Sequence, residues 1–393
     1  MMKSCVIISN AMSDAIRKER GILTDSPAAS RKVFLWAGLL KTKETKSYVL
    51  SLGRGRPHND KRFFKAKVER IKNTIILYLP FSHIPIFSEI LTLLSLPWFV
   101  FVLGRRLRPS IIYYNRIPAY IFGALVGKLL GLKQFIDIED GEVNDGQRSI
   151  KRYIERLIPF FIDKCCIDGA FLACSSLSSY TKVRPTKNYY GIVDVKVTGE
   201  HEKSFDHINI IFSGTLNEST GAERLIAAIK IIQEKKPLWA GKIAFHICGM
   251  GSSLDAFRLV ESAGGYPKVC VYGRLDNLEY SEKLYAANVG LSLKPVNGIY
   301  SNTTFPSKVV EYISNKLFVV TTDISDVKCI LGEHGAYYLN GNSPEELISC
   351  FEYIVLNSSQ LSETVQVGYE TLCNKMLLDN VRDDMLKFIF GRV

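Results

Sequence analysis

IIFSGTLNESTGAERLIAAI, residues 210–229, decides how the second half of this chain is read. Ile210, Ile211 and Phe212 form an apolar run of strand type, and Ser213-Gly214-Thr215 ends it. A polar turn follows. From about Thr220, Leu225, Ile229 and Ile232 recur at helical spacing. Strand, glycine turn and helix make half of a βαβ unit, and the pattern repeats. Residues 208–214, 242–249, 268–273, 289–295 and 317–322 read as strands. Residues 220–236, 252–263, 278–287 and 306–315 read as the helices between them. The alternation predicts a parallel, doubly wound sheet.

The first half carries the same rhythm. Strands are expected at 5–9, 47–52, 73–80, 110–115, 134–140 and 170–175, with a helix at 30–41. The stretch 185–207 is polar, mixed in charge and without period, so the domain boundary is placed there. The expected organisation is α/β: a domain over 1–195, a second over 196–375, and a helix closing the chain at 376–393. Two such domains would face each other across a central cleft lined by strand ends.

The bulk numbers agree with two soluble domains. A chain of 393 residues is too long for one ordinary core. Residues 1–10 read as a first strand rather than a signal peptide. Nine cysteines without a CxxC pair argue against a disulfide framework or a zinc site, and for reduced thiols in a cytosolic protein. Charge is divided unevenly. Residues 1–195 hold 31 Lys and Arg against 16 Asp and Glu, a net of +15, whereas 196–393 hold 19 against 23. A basic half implies an anionic partner. Nucleic acid is disfavoured, because no RNP-like motif, zinc finger or basic recognition helix is present. Residues 73–104 contain one acid, Glu89, and no Lys or Arg. Pro80, Pro85 and Pro97 interrupt them, so a buried strand and helix is expected before an interfacial helix, and a membrane span last.

Four stretches fall at expected strand ends. The first supplies Gly214, Thr215 and Asn217, where backbone can approach a ligand. HICGMGSS (246–253) supplies Gly249, and VYGRLDN (271–277) supplies Gly273 and Arg274. The fourth is TTFPSKVVEY (303–312), with Thr303, Thr304, Ser307, Lys308 and Glu311. Pro306 suits a first helical position. Lys308 and the uncapped N–H groups suit a diphosphate, and Glu311, one turn on, suits the two hydroxyls of a ribose. Standing alone, such an i,i+3 pair is an ordinary surface contact.

The order of these four changes their weight. FSG-loop-helix, a G-x-G turn, a YGRL turn, and FPSKxxEY before NKLFVVTTD resemble the donor-binding domain of GT-B glycosyltransferases. They are most similar to the family-4-like retaining enzymes of bacterial polysaccharide and glycolipid assembly. The resemblance covers residues 208–335; the first half matches in architecture only. It implies a GT-B fold, transfer of a sugar from a UDP- or GDP-sugar, retention of configuration, no metal and no separate cofactor. It assigns the donor ribose to Glu311 and implies a final helix (370–390) that crosses back to the first domain. Two departures stand out. Position 304 is Thr where many members carry glutamate, and the GTLNESTG loop lacks the usual Arg and Lys.

The first domain would then bind the acceptor. Ser30 and Arg31 open the expected helix, Asn115 and Arg116 follow a strand, and DIEDGEVND places Asp137, Glu139, Asp140 and Glu142 at a strand end. Asp140 and Glu142 are the candidate catalytic carboxylates, able to orient or deprotonate an acceptor hydroxyl. His83 is read as structural. The expected protein is a cytoplasmic transferase peripheral to the inner face of the membrane, acting on lipid-linked lipopolysaccharide or capsule glycan. The alternative is a catalytically weak relative serving as a membrane-associated scaffold.

Overall fold

The computed structural model describes residues 2–57, 62–71, 74–141, 150–193, 205–298 and 301–391. The chain divides into two compact units, Met1–Tyr189 with Asp379–Val393, and Tyr190–Leu378. Each is an α/β unit built on a parallel sheet.

The first unit contains β1 (Lys3–Ser9), β2 (Thr45–Ser51), β3 (Lys67–Ile71), β4 (Thr74–Tyr78), β5 (Ser110–Tyr114), β6 (Gln134–Ile138), β7 (Gly169–Leu172) and β8 (Thr186–Asn188). Their order across the sheet is β8-β7-β6-β5-β1-β2-β4-β3. Every pairing is parallel except that of the edge strand β3 with β4. The central strands are apolar on both faces, as a sheet covered on both sides requires; Ile7, Ile8, Ile76 and Ile112 are fully buried.

The helices of this unit include α1 (Pro27–Leu39), α2 (Pro85–Leu107), α3 (Ile121–Leu129) and α4 (Ile150–Cys166). Helix α1 begins three residues earlier than expected. Ser26 caps it by accepting from the Ala29 N–H, and Pro27 takes the first position. The apolar stretch after β4 also departs from expectation. Pro85 opens α2, the helix runs 23 residues through Pro97 without breaking, and most of it is not buried.

The second unit contains β9 (Ile208–Thr215), β10 (Ile243–Met250), β11 (Lys268–Gly273), β12 (Val289–Ser292), β13 (Phe318–Thr322) and β14 (Tyr337–Leu339). All are parallel, in the order β11-β10-β9-β12-β13-β14. The connecting helices include α5 (Ala222–Lys235), α6 (Leu254–Ala263), α7 (Asn277–Ala286), α8 (Ser307–Ser314), α9 (Pro344–Leu356) and α10 (Leu361–Met376). Their apolar faces close one core, in which Ile210, Phe212, Leu225, Ile229, Phe245, Phe257 and Phe351 are buried.

The closing segment is two helices where one was expected. Leu377 leaves the helical path to bridge Val193, and α11 (Leu378–Phe390) starts after it. Met385 and Ile389 of α11 are buried, and Phe388 packs edge-on to Phe171, with centroids 4.9 Å apart.

Candidate functional site

In the second unit the strand order reverses direction between β9 and β12. Open α/β sheets bind ligands outside the carboxyl ends of strands at such a switch point. Gly214 lies there with φ +124°, and it is exposed. A Cβ at Gly214 would lie 3.8 Å from Lys308 Cε, so the lysine stem runs beside a bare stretch of backbone. Gly249, on the neighbouring strand, has a steric reason to be glycine: its Cβ would sit 1.8 Å from the Gly214 carbonyl oxygen.

Helix α8 brings the charges. Val309, Val310, Tyr312 and Ile313 turn inward, leaving Lys308 and Glu311 on the partly open side. Ser307 is the first helical residue and Pro306 stands at the cap, one position before the place expected for it. No side chain caps this end, so its N–H groups carry the positive end of the helix dipole toward whatever approaches.

Lys308 Nζ lies 2.5 Å from Glu311 Oε2 and donates to Tyr280 Oη at 2.9 Å. Tyr280 donates to the same Oε2 at 3.0 Å, and its ring lies under the ammonium group at 4.7 Å. The network continues inward: Ser213 Oγ is 3.0 Å from Tyr280 Oη and 2.9 Å from Tyr312 Oη. Burial holds the Tyr312 phenol well above its ordinary value, so it stays a neutral hydrogen-bonding group. A second cation stands nearby in sequence and sheet. Lys294, just after β12, donates to Thr304 Oγ1 at 3.1 Å.

Tyr280, Ser213 and Lys294 were not picked out from the sequence. The signal was available for two of them, since each closes or follows a strand at the switch point. Tyr280 is visible only once α7 is placed. Of the remaining expected residues, Thr303 and Thr304 are buried, and Ser307 and Thr215 are exposed. Gly273 and Arg274 form the turn between β11 and α7, with Arg274 exposed. Asn217 closes its own turn: it forms a capping box with Thr220, and Ser219 Oγ donates to its Oδ1 at 2.8 Å.

The acceptor-side candidates in the first unit change character. Ser30 is buried inside α1, where its Oγ accepts from the Met12 N–H, so it does not open a helix toward a ligand. Arg31 is exposed. Asn115 adopts φ 61° and its side chain accepts from the Arg116 N–H. Arg116 is tied to Asp163 at 2.6 Å and to the Tyr180 carbonyl. Asp137 is fully buried rather than facing solvent, because Lys32 of α1 reaches it at 2.8 Å and also pairs with Glu139. The ammonium group is surrounded by the rings of Trp36, Tyr189 and Tyr114. Burial pushes the Asp137 carboxyl up to about 8, partly offset by Lys32. Burial opposes the charge on Lys32, but Asp137 and Glu139 hold it above its ordinary value. Asp140 is exposed on the following loop, and Glu142 lies outside the described residues. His83 is buried, with Nε2 2.6 Å from the Arg20 carbonyl oxygen, a structural place.

Residues 207–357 match the family described as Glycosyl transferases group 1. That match makes the second unit a glycosyltransferase domain, and the chain of two parallel α/β units has the GT-B fold. Its solved structural neighbours have the same fold. They include the trehalose-6-phosphate synthase OtsA (TM-score 0.70, 11% identity, 100% of each chain). A sucrose-phosphate synthase from Thermosynechococcus elongatus aligns with TM-score 0.69 and 14% identity over 98% of each chain. HepE of Anabaena, solved in complex with UDP, aligns with TM-score 0.66 and 10% identity over 100% of each chain. No curated protein matches the sequence.

Proposed function

We propose that the second unit binds a nucleoside diphosphate sugar at the β9–β12 switch point, and that the enzyme passes the sugar to a hydroxyl of a lipid-linked cell-surface glycan. The observation that carries this is the Lys308–Tyr280–Glu311 cluster beside Gly214, at an uncapped helix start. The diphosphate would take its hydrogen bonds from Lys308, the first N–H groups of α8 and the bare backbone at Gly214. Lys294 adds a second positive charge. Glu311, relieved of Lys308, would accept from the ribose hydroxyls, with Tyr280 keeping the carboxylate in place.

In the reaction the bond between the sugar anomeric carbon and the diphosphate oxygen breaks, and its electron pair leaves with the diphosphate. A new bond forms from the acceptor oxygen, whose proton must be taken up. Lys308 and the helix N–H groups face the charge that develops on the leaving group, the place where fixed donors lower a barrier most. A metal-independent transfer is proposed, with retention of configuration as in the resembled family. UDP and GDP are the proposed nucleotides. Asp140 is proposed to orient the acceptor hydroxyl. Thr303, Thr304 and Ser307 are proposed to line the sugar end. We place the enzyme in the cytoplasm at the inner face of the membrane, its basic first half toward anionic lipid.

A thermal-shift panel of UDP, GDP, CMP and their sugar conjugates tests the reading, on wild type and Glu311→Ala. One nucleotide should stabilise wild type and lose that effect in the variant. No shift by any nucleotide would favour a scaffold role instead.

A further inference from the structure

Helix α2 is built inside out. The stripe it turns toward the rest of the first unit is Ser88, Thr92, Leu96, Val100 and Gly104, small or polar at three of five places. Thr92 even spends its hydroxyl on the Ser88 carbonyl of its own helix. Small residues let neighbours approach: a Cβ at Gly104 would lie 2.6 Å from Leu130, and one at Gly123 of α3 would lie 3.0 Å from Leu96. The large apolar residues are on the other side. Ile86, Leu94 and Trp98 are 77%, 69% and 62% exposed, and Phe87, Ile90 and Phe101 are also exposed. Positions 87, 90, 94, 98 and 101 follow one stripe along the whole helix. In a helix covering a soluble core the two sets would be exchanged.

The charges on α2 are sorted as well. Glu89, its one acid, is paired with Arg54 at 2.7 Å near the start. Arg105 and Arg106 are exposed in the last turn, with Arg108 after it. The Arg105 guanidinium lies 5.7 Å from the Phe101 ring centroid, beside the stacked Trp98–Phe101 pair. Aromatic rings bordered by arginine suit the level where lipid headgroups meet hydrocarbon.

Length and composition would let α2 span a bilayer. Its connections forbid it. It joins β4 to β5, two strands of one hydrogen-bonded sheet, so its ends cannot stand on opposite sides of a bilayer. A helix that lies flat remains.

We propose that α2 is the membrane-docking element of this enzyme: its exposed apolar face sinks into the bilayer surface, and Arg105, Arg106 and Arg108 bind anionic headgroups. This deepens the proposed membrane association by adding insertion to simple charge attraction, and it does not depend on the identity of the donor.

The test is flotation of the full chain with vesicles of phosphatidylcholine, alone or mixed with phosphatidylglycerol. Three variants are compared with wild type: Ile90→Gln/Leu94→Gln/Trp98→Gln, Arg105→Ser/Arg106→Ser, and Trp98→Phe. Wild type should float with the mixed vesicles. The triple variant should bind at least about tenfold more weakly, with unchanged melting temperature and nucleotide response. The arginine variant should lose about fivefold per arginine on the anionic vesicles, and little on the neutral ones. Brominated lipid should quench tryptophan fluorescence in wild type and not in Trp98→Phe.

If the triple variant floats as wild type does, binding is electrostatic elsewhere and the insertion is refuted, while membrane association survives. If wild type does not float at all, both fall and the nucleotide response stands apart. If light scattering shows a dimer that the triple variant makes monomeric, and wild type does not float, the face joins two copies and the proposal is overturned.

Discussion

Replacing Lys308 with Met separates a ligand site from a surface ion pair. In the unliganded protein the pair joins side chains 21% and 28% exposed, at i,i+3 on one helix. Such pairs contribute at most about 1 kcal/mol. In a unit of this size that corresponds to about 2–4 °C, so Lys308→Met should melt no more than a few degrees low. The ligand effect is larger. At one hundred times its dissociation constant, a nucleotide adds about 2.7 kcal/mol to wild type, or about 5–11 °C. Losing a charged hydrogen bond to the diphosphate costs about 1.5–3 kcal/mol, a tenfold to hundredfold loss of affinity. At a thirtyfold loss and the same ligand concentration, the stabilisation falls to about 0.9 kcal/mol. Differential scanning fluorimetry with and without the stabilising nucleotide reads both quantities, and Tyr280→Phe should show a smaller loss with its ring contact kept. A variant that keeps the full nucleotide shift would refute the site. So would an unliganded loss of several kcal/mol, which would make the lysine a structural residue.

Three further outcomes follow from closely packed groups. Lys32→Met should cost about 1–3 kcal/mol near neutral pH, because buried Asp137 and its neighbour Glu139 lose the ammonium group that both contact. Asp137 binds its proton more tightly folded than unfolded, so the stability this carboxyl contributes is fully present below the ordinary carboxylate range and is lost as the pH rises from there toward about 8; urea midpoints of wild type across that window check it. Arg20→Met should lower stability by about 3 kcal/mol, since the Gly53 and Leu79 carbonyls lose donors at 2.7 and 2.9 Å; the urea transition of the first unit reports it. Gly249→Ala should cost at least about 3 kcal/mol, because its methyl group meets backbone rather than a movable side chain; circular dichroism melting would show it.

What the sequence revealed depended on range. The strands of the second unit are short apolar runs separated by periodic helices, and both signals are local. Lys308 and Glu311 were legible for the same reason, three residues apart on one helix. Tyr280 was not, because its place over Lys308 depends on the sheet order that sets α7 beside β9. The acidic stretch after β6 misled for a related reason. Its carboxylates look available until Lys32, 107 residues before Glu139, is folded against them. Ser30 is different: Ser26-Pro27 was a readable cap and first-turn pair, and it moves the helix start away from Ser30. In α2 the prolines suggested breaks, yet Pro85 fits the start and the helix continues through Pro97.

Both ends of the described chain belong to the first unit, with residues 190–378 inserted between them. During synthesis the whole second unit emerges before α11 exists. Until then β7 and β6 lack Phe388, whose ring reaches Phe171 and Phe135 at 4.9 and 5.6 Å. The half made first is therefore completed last. A stop codon near residue 380 would leave the second unit whole and injure the first, nearly two hundred residues upstream of the lesion.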